Sequence, residues 1–138
     1  MDEKRVVTCF LENEDRVLLL RRSQRVGTYR GRWAGVSGFV EEGVSPEQQA
    51  VQEIREEVGL EPADVRLVAS GKPVEVVDMQ LNRKWIVHPF LFEVRRPEQL
   101  QIDWEHTEVK WIDPREIREH ETVPGLDRAW ESAHGHGA

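Results

Sequence analysis

The chain has a single cysteine, Cys9, so no internal disulfide can staple it. It lacks long apolar runs: none approaches the roughly 20 residues that span a bilayer, so no membrane association is expected. The start, MDEKRVV, has no apolar segment ahead of a cleavage site. No signal peptide is expected, and the cytoplasm is the expected location. Basic charge is also in short supply, with 19 Lys and Arg against 26 Asp and Glu and a formal net charge of −7. That shortage argues against a general binder of nucleic acid polymers, which carries a basic face. It leaves room for a small phosphorylated ligand held through a cation.

What is present is enough for one soluble domain spanning residues 1–138. The 138 residues are 38 % hydrophobic and 33 % charged, outside the compositional range of disorder. Arg5–Leu11 and Val17–Leu20 read as two strands joined by the polar turn Glu12-Asn13-Glu14-Asp15. Cys9, in the run VVTCF, reads as a buried strand residue. Gly27–Gly35 reads as a loop leading into a short strand near Trp33–Val36. Ser45-Pro46 opens a helix: serine is a favoured N-cap and proline is tolerated at the first helical position. Ala50, Val51, Ile54 and Val58 recur at helical spacing, and Gly59 is placed to end the helix. Val65–Val77, Trp85–Val94 and Val109–Ile112 follow as strands. Asp113-Pro114 starts a short helix, and a last one runs from Val123-Pro124-Gly125 through Trp130. The tail, residues 132–138 with His134 and His136, reads as frayed. Strands, helix, strands, helices in that order predict an α/β (α+β) fold, a mixed β-sheet sandwiched between α-helices.

Chemistry concentrates on the helix after Ser45. At about 100° per residue, Gln49, Glu53, Glu56 and Glu57 fall on one side, and Ala50, Val51, Ile54 and Val58 face the core from another. Like charges three and four residues apart cost a few tenths of a kcal/mol per pair, roughly. Glu56 and Glu57 also sit at the helix C-terminus, where the helix dipole disfavours anions. A hard divalent cation removes both penalties, because Mg²⁺ binds carboxylate oxygens and substrate phosphates together. Gly38, ahead of the helix, permits close backbone approach, and its carbonyl is a candidate further ligand. Arg21, Arg22, Arg25, Arg30 and Arg32 cluster upstream with no acid among them, as candidates for phosphate oxygens.

These residues resemble the Nudix box: Gly, five residues, Glu, seven residues, then Arg-Glu-U-x-Glu-Glu-x-Gly-U, with U a bulky aliphatic. Over residues 38–60, Gly38, Glu53, Ile54, Glu56, Glu57, Gly59 and Leu60 match in register. Gly31-Arg32-Trp33 resembles the family's G-x-W lead-in, Glu41 a glutamate of the box loop, and Trp111-Ile112-Asp113-Pro114 its W-[VIL]-x-[PL] element. The chain departs from the pattern at Val44, which replaces a glutamate, at Gln52, which replaces the arginine, and at Ser37, which replaces a glycine.

The resemblance implies a Nudix fold and a hydrolase that cleaves a diphosphate linkage in a nucleoside diphosphate derivative, by attack of water on phosphorus. ADP-ribose, a dinucleotide and a nucleoside triphosphate are candidate substrates. Mg²⁺, or Mn²⁺ in its place, is the implied cofactor. Glu56 and Glu57 are the implied main ligands, Glu53 a ligand or the group that orients water, and the Gly38 carbonyl a further ligand. Glu105 and Glu108 are candidates for an additional base, with His106 behind them. Arg21, Arg22, Arg30, Arg32, Phe39 and Glu41 are the candidate substrate contacts. Tyr29, Phe39 and Trp85 are able to stack on a base, whereas Trp33 and Trp111 read as packing residues. A monomer or a homodimer is expected. The departures at Val44 and Gln52 support an alternative, a catalytically weakened ligand-binding or regulatory module on the same fold. An isoprenyl diphosphate isomerase is disfavoured, because that chemistry uses a cysteine and Cys9 lies in a strand far from the box.

Overall fold

The computed structural model describes residues 1–135. In chain order the elements are β1 (Asp2–Asn13), β2 (Arg16–Arg22), β3 (Trp33–Ala34), β4 (Val36–Phe39), α1 (Pro46–Val58), β5 (Val65–Ser70), β6 (Val74–Asp78), β7 (Arg83–Val94), β8 (His106–Ile112) and α2 (Leu126–His134). The β1–β2 turn is Glu14-Asp15, both at positive φ (50° and 64°), with Asn13 opposite Arg16. That two-residue turn matches the twist of the strands it joins.

The eight strands make one mixed sheet. β1 and β7 lie parallel at its centre, paired from Asp2 opposite Arg83 to Glu12 opposite Glu93. On its other edge β1 divides its partners. Val6–Cys9 pair antiparallel with β4, and Glu12 and Asn13 pair with β2. β7 is shared in the same way between β6 and β5. β8 lies antiparallel along β2.

The continuous apolar runs of β1 and β2 are explained by burial on both faces. Val7, Cys9, Leu11, Leu18 and Leu20 pack under α1 with Ala50, Ile54 and Val58. Phe10, Val17 and Leu19 point the other way, against Leu126, Ala129 and Trp130 of α2. The expected sandwich is present, and no helix among the described residues is long and apolar enough to cross a membrane.

Three local expectations change. Val65–Val77 is two strands, broken at Gly71-Lys72-Pro73, where proline has no N–H to give a ladder. The turn after Asp113 is a 3₁₀ segment, Pro114–Glu119. Residues 132–134, expected in a frayed tail, belong to α2, and the His134 ring stacks on Trp130 at 4.7 Å. Residues 136–138, with His136, lie outside the described residues.

Candidate active site

α1 forms as its sequence dictates. The Ser45 side chain accepts from the Gln48 N–H, and the Gln48 side chain accepts from the Ser45 N–H. This reciprocal cap is worth about 1 kcal/mol. Gly59, at φ 69°, closes the helix in the left-handed region. The acceptor-rich face, however, is not all open to solvent: Glu56 is exposed, but Gln49 and Glu57 are not. Gln49 is 0 % and Glu57 2 % exposed, because this face lies against β4. Gly38 makes that approach possible: a Cβ there would overlap the Cδ and Cγ atoms of Glu53. Glycine is required at 38 for room, not for an unusual backbone angle.

A distant segment completes the site. The last carbonyls of a helix have no partner within it. Here the Gln101 N–H donates to Val58 O at 2.9 Å and the Asp103 N–H to Glu57 O at 3.2 Å. The Ser23 N–H donates to Glu105 O at 2.7 Å, tying the same loop to the end of β2. Docked in this way, the loop delivers Trp104, Glu105 and His106 to the acidic end of α1.

The carboxylates are held by neutral donors. Gln49 Nε2 donates to Glu53 Oε1 at 3.0 Å, while Gln49 Oε1 accepts the Glu41 N–H. Gln52 Nε2 donates to Glu56 Oε1 at 3.0 Å. Glu57 Oε1 lies 3.5 Å from the Ser37 N–H nitrogen and 3.6 Å from His106 Nε2; among the described residues Oε2 is buried with no hydrogen-bond donor, and the Glu53 carboxyl lies against that of Glu57. Burial, followed by the Glu53 and Glu105 carboxyls, pushes the Glu57 carboxyl up to about 11. Burial also raises Glu53 and Glu105 above the usual carboxylate range. One ligand atom each from Glu57, Glu105 and His106 lie within 4.8 Å of one another. A site of crowded acceptors, with one buried carboxylate oxygen unpartnered, suits a divalent cation.

Beside this acidic end opens a cleft of about 550 Å³, a size that takes a small molecule. Glu53, Glu56 and Glu105 line one part of it, with Arg22 and Arg25. Tyr29, Phe39, Trp85 and Trp104 add aromatic surface to the same cleft. Trp85 Nε1 donates to the Tyr29 hydroxyl at 3.0 Å, which donates to Asp78 Oδ2 at 2.5 Å. Burial and the Asp78 bond push the Tyr29 phenol up to about 12. Tyr29 is the only tyrosine, so phenolate absorbance reports this one group. The ultraviolet titration is expected to have its midpoint near 12; a midpoint near 10 would contradict the hydrogen-bonded chain.

The other expected substrate contacts are placed differently. Arg21 hydrogen-bonds Gly31 O and pairs with Glu108 at 2.9 Å on adjacent strands. Arg30 donates to Val26 O and Arg32 to Thr122 O. These three arginines, Glu41 and Glu108 are not among the cleft-lining residues, whereas Arg22, Phe39 and Glu105 are. Sequence reasoning missed Trp104, 55 % exposed and covered by Arg25 at 5.5 Å, and Arg83, which lies over Trp85 at 5.0 Å. A tryptophan set between the acidic Asp103 and Glu105 was the one available signal for Trp104. Arg83 carried none.

A sequence model of the NUDIX domain matches residues 2–131. The uncharacterized Nudix hydrolase YvcI of Bacillus subtilis is 25 % identical over 122 residues, covering 88 % of this chain and 73 % of that protein. An RNA pyrophosphohydrolase of Pseudoalteromonas translucida is 50 % identical over 40 residues, 29 % of this chain and 23 % of that protein. Among solved structures, a MutT protein from Methanosarcina mazei superposes with a TM-score of 0.75 at 24 % identity, covering 94 % of this chain and 91 % of that one. A dihydroneopterin triphosphate pyrophosphohydrolase from E. coli superposes with a TM-score of 0.73 at 22 % identity, covering 95 % and 96 %.

Proposed function

The chain belongs to the Nudix family and is a pyrophosphohydrolase; we propose that it cleaves the diphosphate linkage of a small nucleotide derivative with the help of Mg²⁺ or Mn²⁺. The observation that carries this reading is the buried, unpartnered Glu57 Oε2 at the acidic end of a nucleotide-sized cleft. A carboxylate without a partner at that depth is costly, and its retention is understandable if it holds a cation. Glu57, Glu56 and Glu53 would hold the ion, with the Gly38 carbonyl. When bound, the ion neutralises phosphate charge and makes a coordinated water more acidic.

The chain's own groups do the rest. Arg22 and Arg25 hold phosphate oxygens, with charge-assisted bonds about twice as strong as neutral ones. Tyr29, Phe39, Trp85 and Trp104 offer faces to a base. Glu105, half-buried at the cleft and with its proton affinity raised by burial, accepts the proton of the attacking water. The new P–O bond forms as the anhydride P–O bond breaks, leaving two phosphorylated products. Net charge supports a free nucleotide over an RNA end, since an acidic chain repels a long polyanion.

The test is incubation with Mg²⁺ or Mn²⁺ and ADP-ribose, NADH, a dinucleoside polyphosphate or nucleoside triphosphates, reading released phosphate or nucleoside monophosphate. Cleavage of one or more is expected. A nucleotide that raises the melting temperature yet is never cut would favour the binding module. Val44→Glu with Gln52→Arg is expected to raise turnover several-fold, because arginine replaces a neutral donor to Glu56 with a charged one. No rise would show that the departures from the box do not limit the site.

A further inference from the structure

His106 has its tautomer fixed by its neighbour. Asp103 Oδ1 lies 3.0 Å from Nδ1 and also accepts the Glu105 N–H at 3.1 Å. A carboxylate only accepts, so Nδ1 carries the ring hydrogen. In the neutral ring Nε2 then presents a lone pair, and it faces Glu57 Oε1 at 3.6 Å. Glu105 brings a third acceptor within 4.8 Å of both. The His106 and Glu57 side chains are 1 % and 2 % exposed. A second, separate observation concerns Glu57 Oε2, which is buried and unpartnered.

Two ligand atoms about 2.1 Å from one ion lie roughly 3.0 Å apart at an octahedral angle and roughly 3.4 Å at a tetrahedral one. The His106–Glu57 separation is close to the latter. Histidines that bind metal through one ring nitrogen habitually donate the other N–H to a carboxylate, which is the role Asp103 fills here. We propose that His106 Nε2 is a metal ligand beside Glu57, and that this nitrogen makes the site prefer a first-row transition ion over Mg²⁺. The inference rests on the divalent-metal reading above and goes beyond the carboxylate set that the box supplies. Its physical basis is ligand type: Mg²⁺ suits oxygen ligands, whereas a nitrogen ligand adds affinity for first-row transition ions, of which Mn²⁺ gains least.

Mn²⁺ is the probe. Pulsed electron paramagnetic resonance of the whole protein with one equivalent of Mn²⁺ is expected to show coupling to an imidazole ¹⁴N. Mg²⁺ is expected to displace that Mn²⁺ only at a concentration about tenfold or more higher. In His106→Gln the ¹⁴N coupling disappears and the Mn²⁺ affinity falls about ten- to a hundredfold, while Mg²⁺ affinity changes little. Bound Mn²⁺ without ¹⁴N coupling in the unmodified protein overturns the proposal and leaves the metal-dependent hydrolase reading intact. Failure to bind any divalent ion overturns both. The wild-type spectrum decides the matter even if the variant folds poorly.

Discussion

Glu57→Gln is expected to lower kcat about a thousandfold and, in the metal-free protein, to raise the melting temperature. The two effects have one cause. Glu57 is buried to 2 % exposure with one oxygen unpartnered. Electrostatic help from a metal is worth several kcal/mol in a transition state, and each 1.36 kcal/mol is tenfold in rate, which gives a loss of about three decades. Glutamine keeps the shape and loses the charge. Without metal, the fold can keep this carboxyl only as the neutral acid, which is a liability once the unfolded chain ionises. The folded-state carboxyl is pushed up to about 11 by burial, while the unfolded chain ionises near its ordinary value. The folded form therefore binds the proton more tightly. The stability this gives is complete below the unfolded value and is lost as pH rises toward 11. Glutamine cannot ionise, so the variant lacks that decline. Its advantage is expected at pH 8, shrinking as pH falls toward 5, as read by calorimetry in chelator. A variant that loses both activity and stability at pH 8 would show Glu57 to be a packing residue.

Gly38→Ala is expected to cost about a hundredfold in kcat. The new Cβ would overlap Glu53 Cδ and Cγ, so the carboxylate must swing away from the cleft. Misplacement of a reacting group by about 1 Å is worth that much. The fold suffers less, about 1–3 kcal/mol, because the obstructing atoms belong to a flexible side chain. The double variant Gly38→Ala with Glu53→Ala separates the two consequences. It removes the overlap, so the melting temperature is expected to recover while activity does not. Recovery of neither would place the damage in the β1–β4 pairing, where Gly38 stands opposite Val7. Glu53→Ala alone is expected to be as inactive as the double variant.

Much of the local structure was legible before any coordinate. Ser45, Pro46 and Gly59 mark α1 because capping and left-handed backbone are local requirements. The β-formers of Arg5–Leu11 and the apolar run Val17–Leu20 mark strands. The box itself placed Glu53, Glu56 and Glu57 on one helix. The helical wheel nevertheless left Gln49 and Glu57 on an apparently open face, since a wheel carries no information about what packs there. Gly38 was flagged for backbone approach; that the approaching group is Glu53 appears only in three dimensions.

The sequence by itself determined the first hairpin, the sheet-and-helix class and the acidic helix, because caps, turns and hydrophobic periodicity act over a few residues. The tertiary structure alone decided which distant groups join that helix. Glu105 and Glu108 are equivalent on paper, yet Glu105 lines the cleft and Glu108 pairs with Arg21. The five clustered arginines were likewise sorted: Arg22, although it donates to Thr28 O, and Arg25 line the cleft, whereas Arg21, Arg30 and Arg32 do not. The deciding contacts are backbone hydrogen bonds from Gln101 and Asp103 to the last carbonyls of α1. Any residue but proline can make such bonds, so they leave no side-chain signature. They carry His106 to Glu57, across 49 positions of chain, where the chemistry is set by proximity.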